Sequence, residues 1–117
     1  MNLDTETSKK IEELQHLESH LQGILSQIQS ISLEQNEINN AILELNKLNS
    51  EEKVYKVSFG IMIKSSKDVV LKELKEKVKI IENKVLTIEK QQSLVEKNIS
   101  RLKEEINNAL LKKRKGL

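Results

Sequence analysis

The sequence predicts a mainly α chain, a long antiparallel two-helix coiled coil with a short β-hairpin inserted at its bend. Three observations predict it. Apolar residues recur at alternating steps of three and four through two long stretches. Between these stretches lies one short run, Val54-Tyr-Lys-Val-Ser-Phe-Gly-Ile-Met-Ile-Lys64, which is rich in β-branched residues and carries the single tyrosine and the single phenylalanine. Proline is absent and aromatic residues make up 2% of the 117, so aliphatic side chains spread along helices take the place of a thick globular core. A chain of this length is read as a single domain over residues 1–117.

The first element is a helix over residues 8–49. Its seam reads Leu14, Leu17, Leu21, Ile24, Ile28 and Ile31, then Ile38, Ile42 and Leu45, with Gln35 filling the polar position between. Such a helix reaches roughly 60 Å and cannot bury its stripe alone. Asn49-Ser50 suits its end, because asparagine tolerates the left-handed conformation.

The second element, over residues 53–64, reads as two short strands around a turn centred on Gly60. A bend between helices needs only a few linking residues, so this hairpin serves another purpose. Its strands need partners, the chain offers none, and the segment therefore points to assembly with other chains.

The third element is a helix over residues 66–115. Ser65-Ser-Lys-Asp68 has capping-box spacing, with Ser65 as N-cap and Asp68 near the positive helix end. The seam runs Leu71, Leu74, Val78, Ile81, Val85 and Ile88, then Val95, Ile99, Leu102, Ile106 and Ala109, with Gln92 as its polar member. In an antiparallel hairpin of these helices, opposed residue numbers sum to about 117. Leu14, Leu17 and Leu21 then meet Ile99, Leu102 and Ile106, with Leu110 nearby. At the open end of a two-helix coil these side chains have less cover than in its middle, and they form a candidate contact surface for something apolar.

Charge divides between the halves. Residues 11–49 hold six acids and one base, and residues 68–115 hold eight acids and thirteen bases. Opposite fields favour pairing of the two helices, although each exposed pair contributes only about 0–1 kcal/mol. The absence of cysteine excludes a disulfide framework and fits a reducing compartment. No apolar run approaches the ~20 residues needed to span a bilayer, and Met1-Asn-Leu-Asp-Thr-Glu6 lacks the order of a signal peptide. The expectation is a cytoplasmic protein without a membrane partner.

Chemical catalysis finds no support. His16 and His20 share a helix face, but the order His-Leu-Glu-Ser-His is not that of a zinc protease and no third ligand is identifiable, so no metal or cofactor is expected. Gly23, Gly60 and Gly116 are isolated, which rules out a glycine-rich phosphate loop. The Lys112-Lys-Arg-Lys115 cluster complements a helix C-terminus. Without a basic stripe or interleaved aromatic residues, it does not make a nucleic-acid site.

The segment Val54-Tyr-Lys-Val, followed by Ile61-Met-Ile-Lys64-Ser-Ser and by Leu71-Lys-Glu-Leu-Lys-Glu-Lys77, resembles the β-type subunits of the prefoldin family. Leu21-Gln-Gly-Ile-Leu-Ser-Gln is similar to the family's Gln/Leu-rich first helix, and the likeness covers residues 10–110. The family's turn glycine falls earlier than Gly60. The resemblance implies a heterohexamer of two α-type and four β-type subunits whose hairpins join into a β-barrel platform. It implies an ATP-independent holding chaperone that captures unfolded proteins at the coiled-coil tips and passes them to a group II chaperonin. In that assembly Tyr55, Val57 and Phe59, with Ile61 and Ile63 beyond the glycine and Val54 before them, supply a buried barrel face. Leu14, Leu17, Leu21, Ile99, Leu102, Ile106 and Leu110 become client-contact residues, about 60 Å from the hairpin. The competing expectation is a structural coiled-coil scaffold without client binding.

Overall fold

The computed structural model describes residues 4–115 in the order helix α1 (Thr5–Asn46), strand β1 (Val54–Ser58), strand β2 (Ile61–Ser65) and helix α2 (Lys67–Lys115). Residues 1–3 and 116–117 lie outside the described residues. So do the beginning of the Met1–Glu6 segment, Gly116 and the side chain of Lys115 in the basic cluster. Two long helices flank a two-stranded antiparallel hairpin, as the sequence predicts.

The helix boundaries differ from the expected ones for identifiable reasons. α1 starts at Thr5 because Asp4 caps it: the Thr7 N–H donates to Asp4 Oδ1 at 2.6 Å, and the Ser8 N–H donates to the Asp4 carbonyl at 3.0 Å. It ends at Asn46, where the Lys47 and Leu48 N–H groups turn back to the carbonyls of Glu44 and Leu45 and tighten the chain. Asn49 is not left-handed; among the described residues, Phe59 is the non-glycine residue with positive φ. The cap of α2 is Ser66 rather than Ser65. Ser65 closes the strand ladder opposite Val54, so the next serine caps: Ser66 Oγ accepts from the Val69 N–H at 3.3 Å and its carbonyl accepts from the Val70 N–H at 3.0 Å. Asp68 lies in the first turn of the helix.

The chain divides into two compact units. The first joins residues 1–28 to residues 87–117. Its core is Ile24, Val95 and Ile99, with Leu14, Leu17, Leu21, Ile28 and Ile88 packed against it. Lys10 Nζ lies 3.7 Å from Glu105 Oε2, while Ile24, later on α1, packs with Val95 and Ile99, earlier on α2, so the helices run antiparallel in this unit. That ion pair sets a base of α1 against an acid of α2, the reverse of the net charges of the two halves. Gln92 turns along its own helix, its amide donating to Glu96 at 2.9 Å.

The second unit spans residues 29–86 and contains the hairpin. Ile38, Leu45, Val54 and Ile81 are its buried apolar residues. Lys67 Nζ donates to the Leu48 carbonyl at 2.8 Å, tying the segment after α1 to the first residue of α2 at the base of the hairpin. Lys10 with Glu105 and Leu48 with Lys67 both sum to 115, close to the value expected for an antiparallel pair.

Candidate functional site

The hairpin turns on two residues, Phe59 and Gly60, with φ of 51° and 76°. Positive φ at both central positions marks a type I′ turn, whose twist matches that of the flanking strands. Glycine takes this conformation freely; a Cβ at position 60 would meet nothing, so conformation and not space calls for glycine there. Phenylalanine does not, and a bulky residue in this region is strained by about 1–3 kcal/mol. Phe59 is nonetheless fully exposed at the apex of the turn. It is a turn residue rather than a member of a strand face.

The two-residue turn fixes the register as Ser58 opposite Ile61, Val57 opposite Met62, Lys56 opposite Ile63 and Tyr55 opposite Lys64. Every pair joins an odd-numbered residue to an even-numbered one. Tyr55 and Val57 therefore share their face with Met62 and Lys64, while Ile61 and Ile63 share the other face with Val54, Lys56 and Ser58. The single face expected from Tyr55, Val57, Phe59, Ile61 and Ile63 is not brought together within the hairpin. Met62 is the residue that sequence reasoning missed, and reading Phe59-Gly60 as a two-residue turn would have found it.

The two faces differ in surroundings. Val54 is buried, and Lys56 Nζ reaches Glu73 Oε1 of α2 at 3.1 Å, so this face is turned toward the helix. Lys56 and Ser58 of β1, with Val57 between them at the rim, and Val70, Glu73, Leu74, Glu76, Lys77 and Ile80 of α2 line an open cleft of about 470 Å³ between strand and helix. The other face carries Tyr55, Val57 and Met62 exposed, Val57 at 71%. In addition, half the backbone N–H and C=O groups of each strand point away from its single neighbour, leaving two open edges. A lone two-stranded hairpin is marginal in water, and this one presents apolar side chains and unpaired backbone together.

The helix ends form the second candidate surface. Leu14, Leu17 and Leu21 are half-buried against the Ile24, Val95 and Ile99 core, and Leu110 is half-buried as well. Ile99, Leu102 and Ile106 are buried, Leu102 at 1% exposure. The seam is thus as well covered here as around Ile38 and Ile81, against the expectation of a less covered end. The first turn of α1, capped by Asp4, is itself packed, with Thr7 buried. Apolar side chains off the seam, Leu25, Leu94 and Leu111, are the exposed ones in this unit.

Asp4 sits beside this end. The hydrogen bond from the Thr7 side chain, then that from the Thr7 N–H, holds its carboxyl below the ordinary value of 3.8; slight desolvation opposes this, and the charges of Lys113 and Lys10 assist it. His16 and His20 are exposed. Among the described residues, no three His, Cys, Asp or Glu side chains are grouped to hold a metal ion, and no helix is long and apolar enough to cross a membrane.

The chain is similar to known proteins over most of its length. The family model for prefoldin subunits matches residues 8–113. The prefoldin subunit beta of Pyrobaculum calidifontis is 34% identical over 99 residues, covering 85% of this chain and 79% of that protein. That of Saccharolobus islandicus is 32% identical over 110 residues, covering 94% and 87%. Among solved structures, the prefoldin beta subunit from Thermococcus strain KS-1 superposes with a TM-score of 0.84 at 28% identity, covering 93% of this chain and 96% of that one.

Proposed function

Because the chain belongs to the prefoldin subunit family, on its beta-type side, we propose that it is one of four such subunits in a hexamer with two alpha-type subunits. The hexamer holds unfolded proteins without ATP or chemical turnover and passes them, in the cytoplasm, to a group II chaperonin. The observation that carries this reading is the hairpin face of Tyr55, Val57 and Met62, exposed beside two open strand edges. Neighbouring subunits complete the backbone pairing and cover the apolar side chains, as a closed barrel does. Val54 serves a different purpose, anchoring the hairpin to its own chain, while Phe59, Ile61 and Ile63 remain exposed for contact with other chains.

Client contact falls to the ends of the helices. Leu14, Leu17, Leu21 and Leu110 offer partial apolar surface as they stand. Ile99, Leu102 and Ile106 become available when the last turns of the seam part, as helix ends do most readily. Weak contacts on several subunits add by avidity without a deep pocket.

The closed seam supports a second reading, a coiled-coil scaffold that holds no client. One experiment separates the two. The chain is purified with an alpha-type subunit, the hexamer is verified by native mass spectrometry, and aggregation of a denatured client is followed without nucleotide. Suppression of aggregation is expected, and its weakening in the Leu17→Ser, Leu110→Ser double variant assigns the capture to the helix ends. An intact hexamer that leaves aggregation unchanged selects the scaffold.

A further inference from the structure

The two helices of the first unit are not equally able to stand alone. Residues 11–46 hold no lysine or arginine, so among the acids of that stretch Glu44 alone has such a base one turn further on, Lys47. Gly23 lies inside the stretch, on the exposed side of α1. A Cβ there would meet nothing, so no close approach calls for glycine, and it weakens the helix relative to alanine. Ser19 and Ser26, one turn to either side, are exposed and favour helix ends over helix interiors. The facing part of α2 is better held. Gln92 bonds Glu96 at 2.9 Å and Arg101 bonds Glu105 at 3.1 Å, each one turn along its own helix.

The ties between the helices follow the same asymmetry. Lys10 reaches Glu105 Oε2 at 3.7 Å, while Arg101 holds Oε1 of that carboxylate at 3.1 Å. When residues 5–22 lift away, Lys10 passes to water and Glu105 keeps its arginine. Gly23 and Gln92 share the sum of 115 that Lys10 and Glu105 define, and the Gln92 amide is spent on its own helix. On the tip side of that level, Ile99, Leu102 and Ile106 lie buried along one face of α2. Leu14, Leu17 and Leu21 of α1 pack against the core that contains Ile99.

We propose that residues 5–22 of α1 form a lid over this α2 face and part from it as one cooperative unit bounded by Gly23, leaving α2 helical. The inference rests on the client role proposed above for the helix ends and supplies the event that uncovers Ile99, Leu102 and Ile106. The Asp4 cap and the Lys10–Glu105 pair hold the lid shut.

Backbone hydrogen exchange of the purified chain, read residue by residue by NMR, tests the lid. Residues 9–22 are expected to share one level of protection, lower than that of residues 95–112. Gly23→Ala, which fits without contact, is expected to raise the shared level about two- to fivefold. Lys10→Glu, which sets like charge against Glu105, is expected to lower it about twofold. Protection that climbs evenly from residue 9 inward, with the effect of Gly23→Ala confined to the turn around it, is end fraying and refutes the lid. Equal protection on the two helices refutes the one-sided opening. In the hexamer with an alpha-type subunit, Gly23→Ala is expected to weaken suppression of client aggregation by the same factor as its exchange. Unchanged suppression with the shared protection raised leaves the lid standing and refutes client contact at this face.

Discussion

The Asp4 carboxylate accepts hydrogen bonds from both the side chain and the backbone N–H of Thr7, and each favours its charged form. Its value in the folded chain lies below 3.8, so the stabilisation it gives is present above that pH and is lost as pH falls through the lowered value. Acid is therefore expected to loosen the first turn of α1. The Thr7 amide resonance followed by NMR should titrate below pH 3.8 in the unchanged chain and not in Asp4→Ala; a titration that survives the substitution would contradict the cap. Phe59 shows the opposite case of a residue whose surroundings do not explain its conformation. Neither detail was legible in the sequence. Asp4 lies before the first heptad residue, and rules for positive φ point to asparagine or glycine and pass over phenylalanine.

At the level of elements, the alternating spacing from Leu14 to Leu45 and from Leu71 to Ala109 was enough to place both helices, because burying a stripe leaves little freedom in its period. The hairpin was legible from Val54, Tyr55, Val57, Ile61 and Ile63 for a similar reason: β-branched and aromatic residues suit a pleated surface. Its facing was not legible, since it depends on whether the turn holds two residues or three, and composition does not count them. The cap of α2 was ambiguous because Ser65 and Ser66 are chemically equivalent, and only the ladder pairing of Ser65 with Val54 decides between them. Ser66→Ala is accordingly expected to lower stability by about 1 kcal/mol in urea unfolding. Ser65→Ala should leave the N-terminus of the helix intact, and an equal loss from both would contradict the assigned cap.

At the level of the whole molecule, the residues assigned to assembly and those assigned to client contact belong to different compact units, hairpin residues 54–65 to one and the helix ends to the other. Damage to one activity should then spare the other's fold. Val57→Lys with Met62→Lys adds charge to an exposed face, so the stability of the isolated chain should change by no more than about 0.5 kcal/mol per site. Native mass spectrometry is expected to show that the doubly substituted chain no longer joins an alpha-type subunit. Undiminished hexamer would mean that this face is not the one buried. The proposed client surface was the least legible part of the sequence. The heptad pattern names which residues form a seam but not how far each is covered, and Ile99, Leu102 and Ile106 are buried where partial cover was expected.

The odd-to-even pairing across the Phe59-Gly60 turn gives the hairpin something like a reading frame. An insertion of one residue between Phe59 and Gly60 that kept the turn at two residues, and so moved the register, would leave every strand side chain unchanged and yet bring Ile61 and Ile63 round to join Tyr55 and Val57, displacing Met62 and Lys64. The outer surface would exchange a flexible thioether and a lysine, a charge that discourages unwanted strand pairing, for two rigid branched aliphatics. Such a slip would act as a frameshift of the surface, exchanging what the hairpin presents without substituting any of its residues.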